Sequence, residues 1–318
     1  MRDVGSLGGH SGITIGFDVV DGDALVERLV LKMPPPGVAR KNNFDVLRQV
    51  PLLRALEANS IPAPRACYWS EDENFFDAPF LMMSRLAGRS PPDLFRDEAA
   101  EGQSNSAVLF NEAVDVLARM HAIDPGHGAL ADWDGERGVD QEIEHWAKIF
   151  HKTENREWLQ QGHALRDLLH ETKPARVPHG LTHGDYYSNN WVFDGAHLSG
   201  VVDWEGASIG PCLLDMGWLY MIYDRECWGP SRHRFMDWQP HPPDLLERYR
   251  ESAPPAVRPH LDDIDWYRAL AAYRIASITA YYFEEHRSGR RPNAAWEMFG
   301  EAFSFLMQTS ERLLNQRH

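Results

Sequence analysis

The stretch His183-Gly184-Asp185-Tyr186-Tyr187-Ser188-Asn189-Asn190, with Val202-Asp203-Trp204-Glu205 close behind it, decides how this chain reads. A histidine is followed two places on by an aspartate, and five places after that by an asparagine. Between Asn190 and Asp203 lie two short apolar runs, Trp191-Val192-Phe193 and residues 198–202, joined through Asp194-Gly195. Asp-Gly between apolar runs is a strong hairpin signal, because both residues tolerate the positive φ of a tight turn. Such a hairpin returns Asp203 beside Asn190, so two oxygen ligands distant in sequence become neighbours. An H-x-D or a strand-ending aspartate is common alone; all three in this order and spacing are not.

This is the spacing of the phosphoryl-transfer loop H-R-D-L-x-x-x-N. In that chemistry the loop aspartate, here Asp185, takes the proton of an attacking hydroxyl. The asparagine and the second aspartate, here Asn190 and Asp203, hold Mg²⁺ against the nucleotide phosphates. A phosphoryl-transfer enzyme is therefore expected.

Composition agrees. The 318 residues are 43% hydrophobic and 25% charged, ordinary values for a folded chain with a sizeable core. No run of eighteen apolar residues suggests a membrane span. The opening Met1-Arg2-Asp3-Val4-Gly5-Ser6 has no apolar core of a signal peptide. Cys67, Cys212 and Cys227 form no C-x-x-C pair, which speaks against a disulfide framework or zinc ribbon and for a reducing, cytoplasmic setting. A net charge of −15 repels polyanions, so nucleic acid is not an expected partner. The same charge suits a cationic or neutral small substrate, or merely aids solubility.

Along the chain, the first eighty or so residues read as strands around one helix, and the remainder as mainly helical. Residues 13–20 and 25–32 are β-rich about the turn Asp21-Gly22-Asp23, and Pro34-Pro35-Pro36-Gly37 breaks the chain. Val46, Leu47, Val50, Leu53 and Leu56 follow a helical period that Pro51 should kink or split. Further strands are expected at 66–70 and 79–83. Later apolar stripes run through Phe110, Val114, Leu117 and His121, through Trp266, Leu270, Tyr273, Ser277 and Tyr281, and through Trp296, Phe299, Phe303 and Leu306. The expected fold is α+β and bilobal, like a protein kinase. A small β-rich lobe (1–84) precedes a larger helical lobe (85–318), with the ligand cleft between them.

Lys32, at a strand end, is the natural phosphate partner. In Leu7-Gly8-Gly9-His10-Ser11-Gly12, Gly9 and Gly12 fit part of a phosphate-covering glycine pattern, a weak signal by itself. His183 is expected to brace its loop rather than exchange protons. Glu205 reads equally as a second metal contact or as a solvent-facing acid. Asp215, starting an apolar helix, is either a buried acceptor for the catalytic loop or an ordinary first-turn acid favoured by the helix dipole.

These residues resemble the aminoglycoside phosphotransferase and choline kinase family of small-molecule kinases, and more closely its branch associated with acyl-CoA dehydrogenases. The likeness runs through Leu29-Val30-Leu31-Lys32, Ile61-Pro62-Ala63-Pro64, Pro79-Phe80-Leu81-Met82-Met83, Ala87-Gly88-Arg89 and Leu117-Ala118-Arg119-Met120-His121, and closes with the catalytic loop, Asp203-Trp204-Glu205 and Leu214-Asp215. It implies ATP- or GTP-dependent O-phosphorylation of a small hydroxylated metabolite or drug. Asp185 is then the base, Asn190 and Asp203 are the Mg²⁺ ligands, Lys32 is the phosphate lysine and Asp215 the brace of the loop. The backbone around Met83 and Ser84, in residues 83–86, would meet the adenine.

Two departures stand out. Where the family carries a glutamate on the small-lobe helix, the matching residue is Gln49, which would leave Lys32 without a charge partner. The chain before the glycine-rich segment is short, so the small lobe is expected to lack a leading strand or helix. Two other readings compete. A nucleotide-binding protein without catalysis would suit Gln49 but has no use for Asp185. A metal-dependent hydrolase on His179, His183 and Asp185 needs a helix that Pro178, Gly180 and Gly184 disfavour. The acceptor pocket is expected from the helical half. Asp224, Glu226, Glu284 and Glu285 are candidate receivers of a cation, or simply solvated surface acids.

Overall fold

The structure is a computed structural model and describes all residues except 8–11, 36, 39–43, 93–105, 134–135, 234–235 and 317–318. The strands are β1 (Arg2–Ser6), β2 (Ile13–Asp21), β3 (Ala24–Met33), β4 (Ala66–Ser70), β5 (Phe80–Ser84), β6 (His179–Thr182), β7 (Trp191–Asp194), β8 (His197–Val201) and β9 (Ser208–Pro211). The main helices are α1 (Gln49–Ala58), α2 (Ser106–His121), α3 (Val139–Phe150), α4 (Arg156–Glu171), α5 (Leu213–Tyr223), α6 (Pro242–Ser252), α7 (Ile264–Arg287) and α8 (Ala295–Asn315). They belong to two compact units. The first comprises Met1–Glu98, Ile123–Gly135 and Ser188–Ala207, the second Ala99–Ala122, Glu136–Tyr187 and Ser208–His318. Two later segments thus join the first unit, whereas the division read from sequence at 84/85 was contiguous.

In the first unit an antiparallel sheet has the order β1-β2-β3-β5-β4. Alternation along β3 turns Leu29 and Leu31 into a core with Phe17 and Phe80, against which Ile15, Val19, Met33 and Met82 pack. Lys32, one step out of that phase, belongs to the other sheet face. Its register partners are Thr14 and Leu81. The leading strand expected to be missing is present: β1 pairs with the free side of β2. Pro51 splits the expected helix as physics requires. A 3₁₀ turn over Val46–Arg48 gives way to α1, and the proline falls in its first turn, where a missing N–H breaks no intrahelical bond.

The β7–β8 hairpin turns at Asp194-Gly195, with Gly195 at φ 61°. It is anchored within the first unit on both sides. Phe193 and Arg89 exchange two backbone hydrogen bonds of 2.9 Å, and the Val201 N–H donates to Pro62 O at 2.9 Å. Gly88, at φ 110°, lets the backbone approach so closely that a Cβ would sit 2.0 Å from Phe193 O. The motifs Ile61-Pro62-Ala63-Pro64 and Ala87-Gly88-Arg89 are therefore the hairpin's seats.

The second unit buries most of the stripes read from sequence, while Tyr281, Trp296 and Phe299 stay half-buried. On α7, Trp266, Leu270, Tyr273 and Ser277 are buried; on α8, Phe303 and Leu306 are. α5 and α7 meet at Gly217, whose missing Cβ would lie 2.6 Å from the Tyr267 backbone.

Gly88→Ala is expected to destabilise the protein by about 2–4 kcal/mol, through strained φ and backbone overlap together. Thermal unfolding checks this; an unchanged Tm would contradict the seating of the hairpin.

Candidate active site

In the second unit the catalytic-loop sequence hangs on one buried carboxylate. Asp215, 1% exposed, accepts the His183 N–H at 2.6 Å and the Gly184 N–H at 2.8 Å. Gly184 has φ 83°, a conformation that suits glycine. The Asp185 N–H donates to His183 Nδ1 at 3.1 Å, so the imidazole proton sits on Nε2. Tyr186 is fully buried and its hydroxyl donates to Ala113 O at 2.6 Å on α2. Burial raises the Tyr186 phenol pKa well above normal, with the Asp215 charge adding to it, so it stays a donor. Behind Asp215, Tyr249 Oη lies 2.6 Å from His121 Nδ1, and His121 Nε2 is 3.5 Å from Asp215 Oδ2. Burial, then Cys212 and Asp215, raise the Tyr249 pKa, so its hydroxyl stays protonated beside the His121 ring. Burial and Asp215 also push the Cys212 thiol up to about 12, making it an inert packing group.

A residue missed in the sequence completes this cluster. Arg274 of α7 donates to Gly184 O and stacks over Trp218 at 4.1 Å and Trp146 at 4.7 Å. Burial lowers its pKa, while the charges of Asp185, Glu142 and Asp215 oppose the drop. A fixed cation thus lies in the field of Asp185 and Asp215. Its place mid-helix, amid an apolar stripe, was the available signal.

In the first unit the Val202 N–H donates to Asn190 O at 2.8 Å, setting the residue before Asp203 against Asn190. Asp203 has left-handed backbone (φ 65°, ψ 56°) and opens the 3₁₀ turn Trp204–Gly206. A non-glycine residue held there is a recurrent mark of a functional site. Its side chain is 49% exposed, with Oδ1 3.9 Å from Lys32 Nζ. Lys32 bonds Glu205 Oε1 at 2.5 Å, both side chains being nearly buried. The charge partner of Lys32 is therefore Glu205, against the expectation that Gln49 would leave it without one. Gln49 is itself buried at the start of α1. Its neighbour Arg48, also missed, donates to the Glu205 and Ala207 carbonyls and stacks on Trp133 at 4.6 Å.

The remaining sequence-predicted residues fall as follows. Gly9 lies outside the described residues. Gly12 is required by packing, since a Cβ would be 2.4 Å from Met33 O. Met83 is buried in β5. The Ser84 N–H is engaged by Arg65 O and the Arg85 N–H by Arg28 O, both at 2.9 Å, so neither is available to an adenine edge. Among the described residues no three His, Cys, Asp or Glu side chains gather as a metal site. His179 instead faces Glu136 at 3.6 Å from strand β6, which removes the hydrolase reading. A site of one amide and one carboxylate is a different case. The half-exposed carboxylate of Asp203, tethered next to Asn190, offers the hard oxygen donors that Mg²⁺ takes beside phosphates. The four acids considered for a cationic acceptor are engaged. Asp224 pairs with Arg268, Glu226 with Arg312 and Glu285 with Arg290, while Glu284 accepts the Glu154 and Asn155 N–H groups.

The fold is that of kinase-like phosphotransferases. Residues 16–258 match the model of the phosphotransferase enzyme family, and the chain belongs to that family. It is 23% identical over 284 residues to mouse acyl-CoA dehydrogenase family member 10, a match covering 86% of this chain and 26% of that protein. It is 28% identical over 172 residues to homoserine kinase of Pseudomonas aeruginosa, covering 52% of this chain and 50% of that one. The chain thus spans about a quarter to a half of these relatives' lengths. Among solved structures, a Ralstonia eutropha protein assigned as an aminoglycoside phosphotransferase superposes with a TM-score of 0.75 at 19% identity, over 99% of this chain and 92% of that chain. A thermostable mutant of the aminoglycoside phosphotransferase APH(4)-Ia, in a ternary complex with AMP-PNP and hygromycin B, gives 0.62 at 14% identity over 98% and 93%. At these identities the likeness speaks for the fold. Among the described residues no helix is long and apolar enough to cross a membrane.

Asp215→Asn is expected to cost about 2–4 kcal/mol, because an amide turns a donor toward one of two buried N–H groups. Denaturant unfolding measures it; wild-type stability would contradict the bracing role.

Proposed function

We propose that this chain transfers the terminal phosphoryl group of ATP or GTP to a hydroxyl of a small molecule, in a Mg²⁺-dependent reaction. The observation that carries the reading is the Val202-to-Asn190 backbone bond, which sets Asp203 beside Asn190 with Lys32 within 3.9 Å of its carboxylate. Asp185 accepts the proton of the acceptor hydroxyl as its oxygen bonds to the γ-phosphorus. The bond from that phosphorus to the bridging oxygen breaks, and the nucleoside diphosphate leaves. Lys32 exchanges Glu205 for phosphate oxygens, and Glu205 keeps the lysine oriented. Asn190 and Asp203 would hold Mg²⁺, which when bound neutralises charge on the phosphates. The His183, Asp215 and Arg274 contacts fix the loop that carries Asp185, so the base is aimed before substrate arrives.

A non-catalytic nucleotide-binding reading rested on Gln49 and on the short stretch before the glycine-rich segment; the Lys32–Glu205 pair and strand β1 speak against it. The relatives' names set the acceptor classes to test: an amino-alcohol acid, an aminoglycoside, and a hydroxylated acyl thioester of the kind an acyl-CoA dehydrogenase would meet. Three free cysteines support a reducing, cytoplasmic setting.

Asp185→Asn should lower turnover roughly 10²- to 10⁴-fold yet bind Mg·ATP as the parent does. Asp203→Asn should bind Mg·ATP weakly and need more Mg²⁺. Calorimetry beside steady-state kinetics tests the pair, and full turnover in both variants would sink the proposal. Lys32→Ala should remain folded while KM for ATP rises and kcat falls; unchanged constants would remove Lys32 from the phosphate site.

A further inference from the structure

Three arginines of the second unit are withdrawn from water, and two of them have acids nearby. Arg268 bonds Asp224 at 2.7 Å and Asp265 at 2.5 Å while stacking on Tyr220. Arg274 donates to Gly184 O in the field of Asp185 and Asp215. Arg232 differs. Its guanidinium carbon lies 3.6 Å from the Trp228 ring centre and 5.7 Å from that of Phe299, and among the described residues its side chain makes no hydrogen bond or ion pair. Burial pulls its pKa down to about 10, with the Tyr223 and Tyr187 phenols opposing, so it remains charged at neutral pH. A half-buried cation without an anion is costly to keep.

The cation is also held still. Trp228 is 1% exposed, and its indole N–H is shared between Met221 O and Ile222 O at 3.2 and 3.1 Å. The next residue, His233, donates from Nε2 toward the Arg225 and Trp228 carbonyls, fixing the turn. Stacking uses only the face of the guanidinium. Its edge keeps N–H donors in the fork that matches two oxygens of a carboxylate or phosphate. Tyr187, whose phenol lies in the field of Arg232, is two residues beyond Asp185. Meanwhile Asp224, Glu226, Glu284 and Glu285 are engaged, as described above. The net charge of −15 acts over distances that physiological salt screens beyond about 8 Å, so the local cation decides.

We infer that Arg232 binds the acceptor, and that the acceptor carries a carboxylate or phosphate group gripped by its guanidinium edge while the hydroxyl is presented to Asp185. This rests on the phosphotransferase reading above and names the substrate class for that site.

The test is acceptor-stimulated ADP release by the full chain over three sets of hydroxylated compounds. One holds hydroxy acids and homoserine with their methyl esters, one sugar phosphates and hydroxyacyl-CoA thioesters, and one the cations choline, ethanolamine and kanamycin. Stimulation by an anionic compound is expected, with KM at least tenfold higher in Arg232→Gln, kcat within a few-fold, and partial recovery in Arg232→Lys. Loss of activity on esterification assigns the anion to a carboxylate; response only in the second set assigns it to a phosphate. Preference for a cationic or neutral acceptor, no anionic compound active, or an unchanged KM in Arg232→Gln would overturn the inference. Thermal melts confirm that the variants fold. Mg·ATP binding separates the two levels: its loss in Asp203→Asn sustains the phosphotransferase reading even where the acceptor charge proves wrong.

Discussion

The arrangement depends first on a carboxylate placed where water cannot reach it. Asp215 sits at the start of an apolar helix, and removing its charge from solvent is offset by the two backbone N–H groups that point at it. The dependence runs both ways. Those N–H groups belong to His183 and Gly184, so satisfying Asp215 fixes the backbone from which Asp185 projects. Arg274 grips the opposite side of the same peptide segment through the Gly184 carbonyl. With both sides of one residue's peptide groups held, the loop has little freedom left to lose.

The first unit solves a related problem with backbone rather than buried charge. Its hairpin is seated by Arg89 and Pro62, with glycines at 88 and 200 where side chains would collide. Beyond the hairpin, Asp203 adopts a backbone that only surrounding contacts sustain. Arg48 holds the carbonyls after it, and Lys32 holds the carboxylate two residues on. Lys32 and Glu205 thus serve each other: the acid offsets the desolvation of the lysine, and the lysine keeps the acid from solvent.

What the sequence disclosed was whatever local chemistry dictates. The Asp-Gly turn, the alternation around Leu29 and Leu31 and the helical stripes of α7 and α8 were legible because turn geometry and side-chain period leave a direct imprint. So was the spacing of His183, Asp185, Asn190 and Asp203. What stayed hidden was partnership across long separations. Lys32 and Glu205 are 173 positions apart, and nothing near either names the other. Arg48 and Arg274 looked like ordinary helix arginines because their acceptors are main-chain carbonyls, which carry no sequence identity. The leading strand β1 was overlooked because Arg2-Asp3-Val4-Gly5-Ser6 has almost no apolar pattern. It is an exposed edge held by backbone pairing.

The first unit is stitched from three separated stretches of chain, and that has a consequence for how the molecule comes into being. When a ribosome has released residues 1–98, the sheet is complete but the edges at Pro62 and Gly88-Arg89 still face solvent, since their partner lies about a hundred residues downstream. Backbone pairs of such separation close late and slow the search for the native state. Until the 188–207 segment emerges, the nascent lobe carries unpaired strand-like edges, the kind of surface on which chains associate wrongly and chaperones act. The segment that completes this lobe is also the one that brings Asn190 and Asp203. Final consolidation of the first unit and delivery of Asn190 and Asp203, the residues proposed to hold Mg²⁺, are therefore a single folding event.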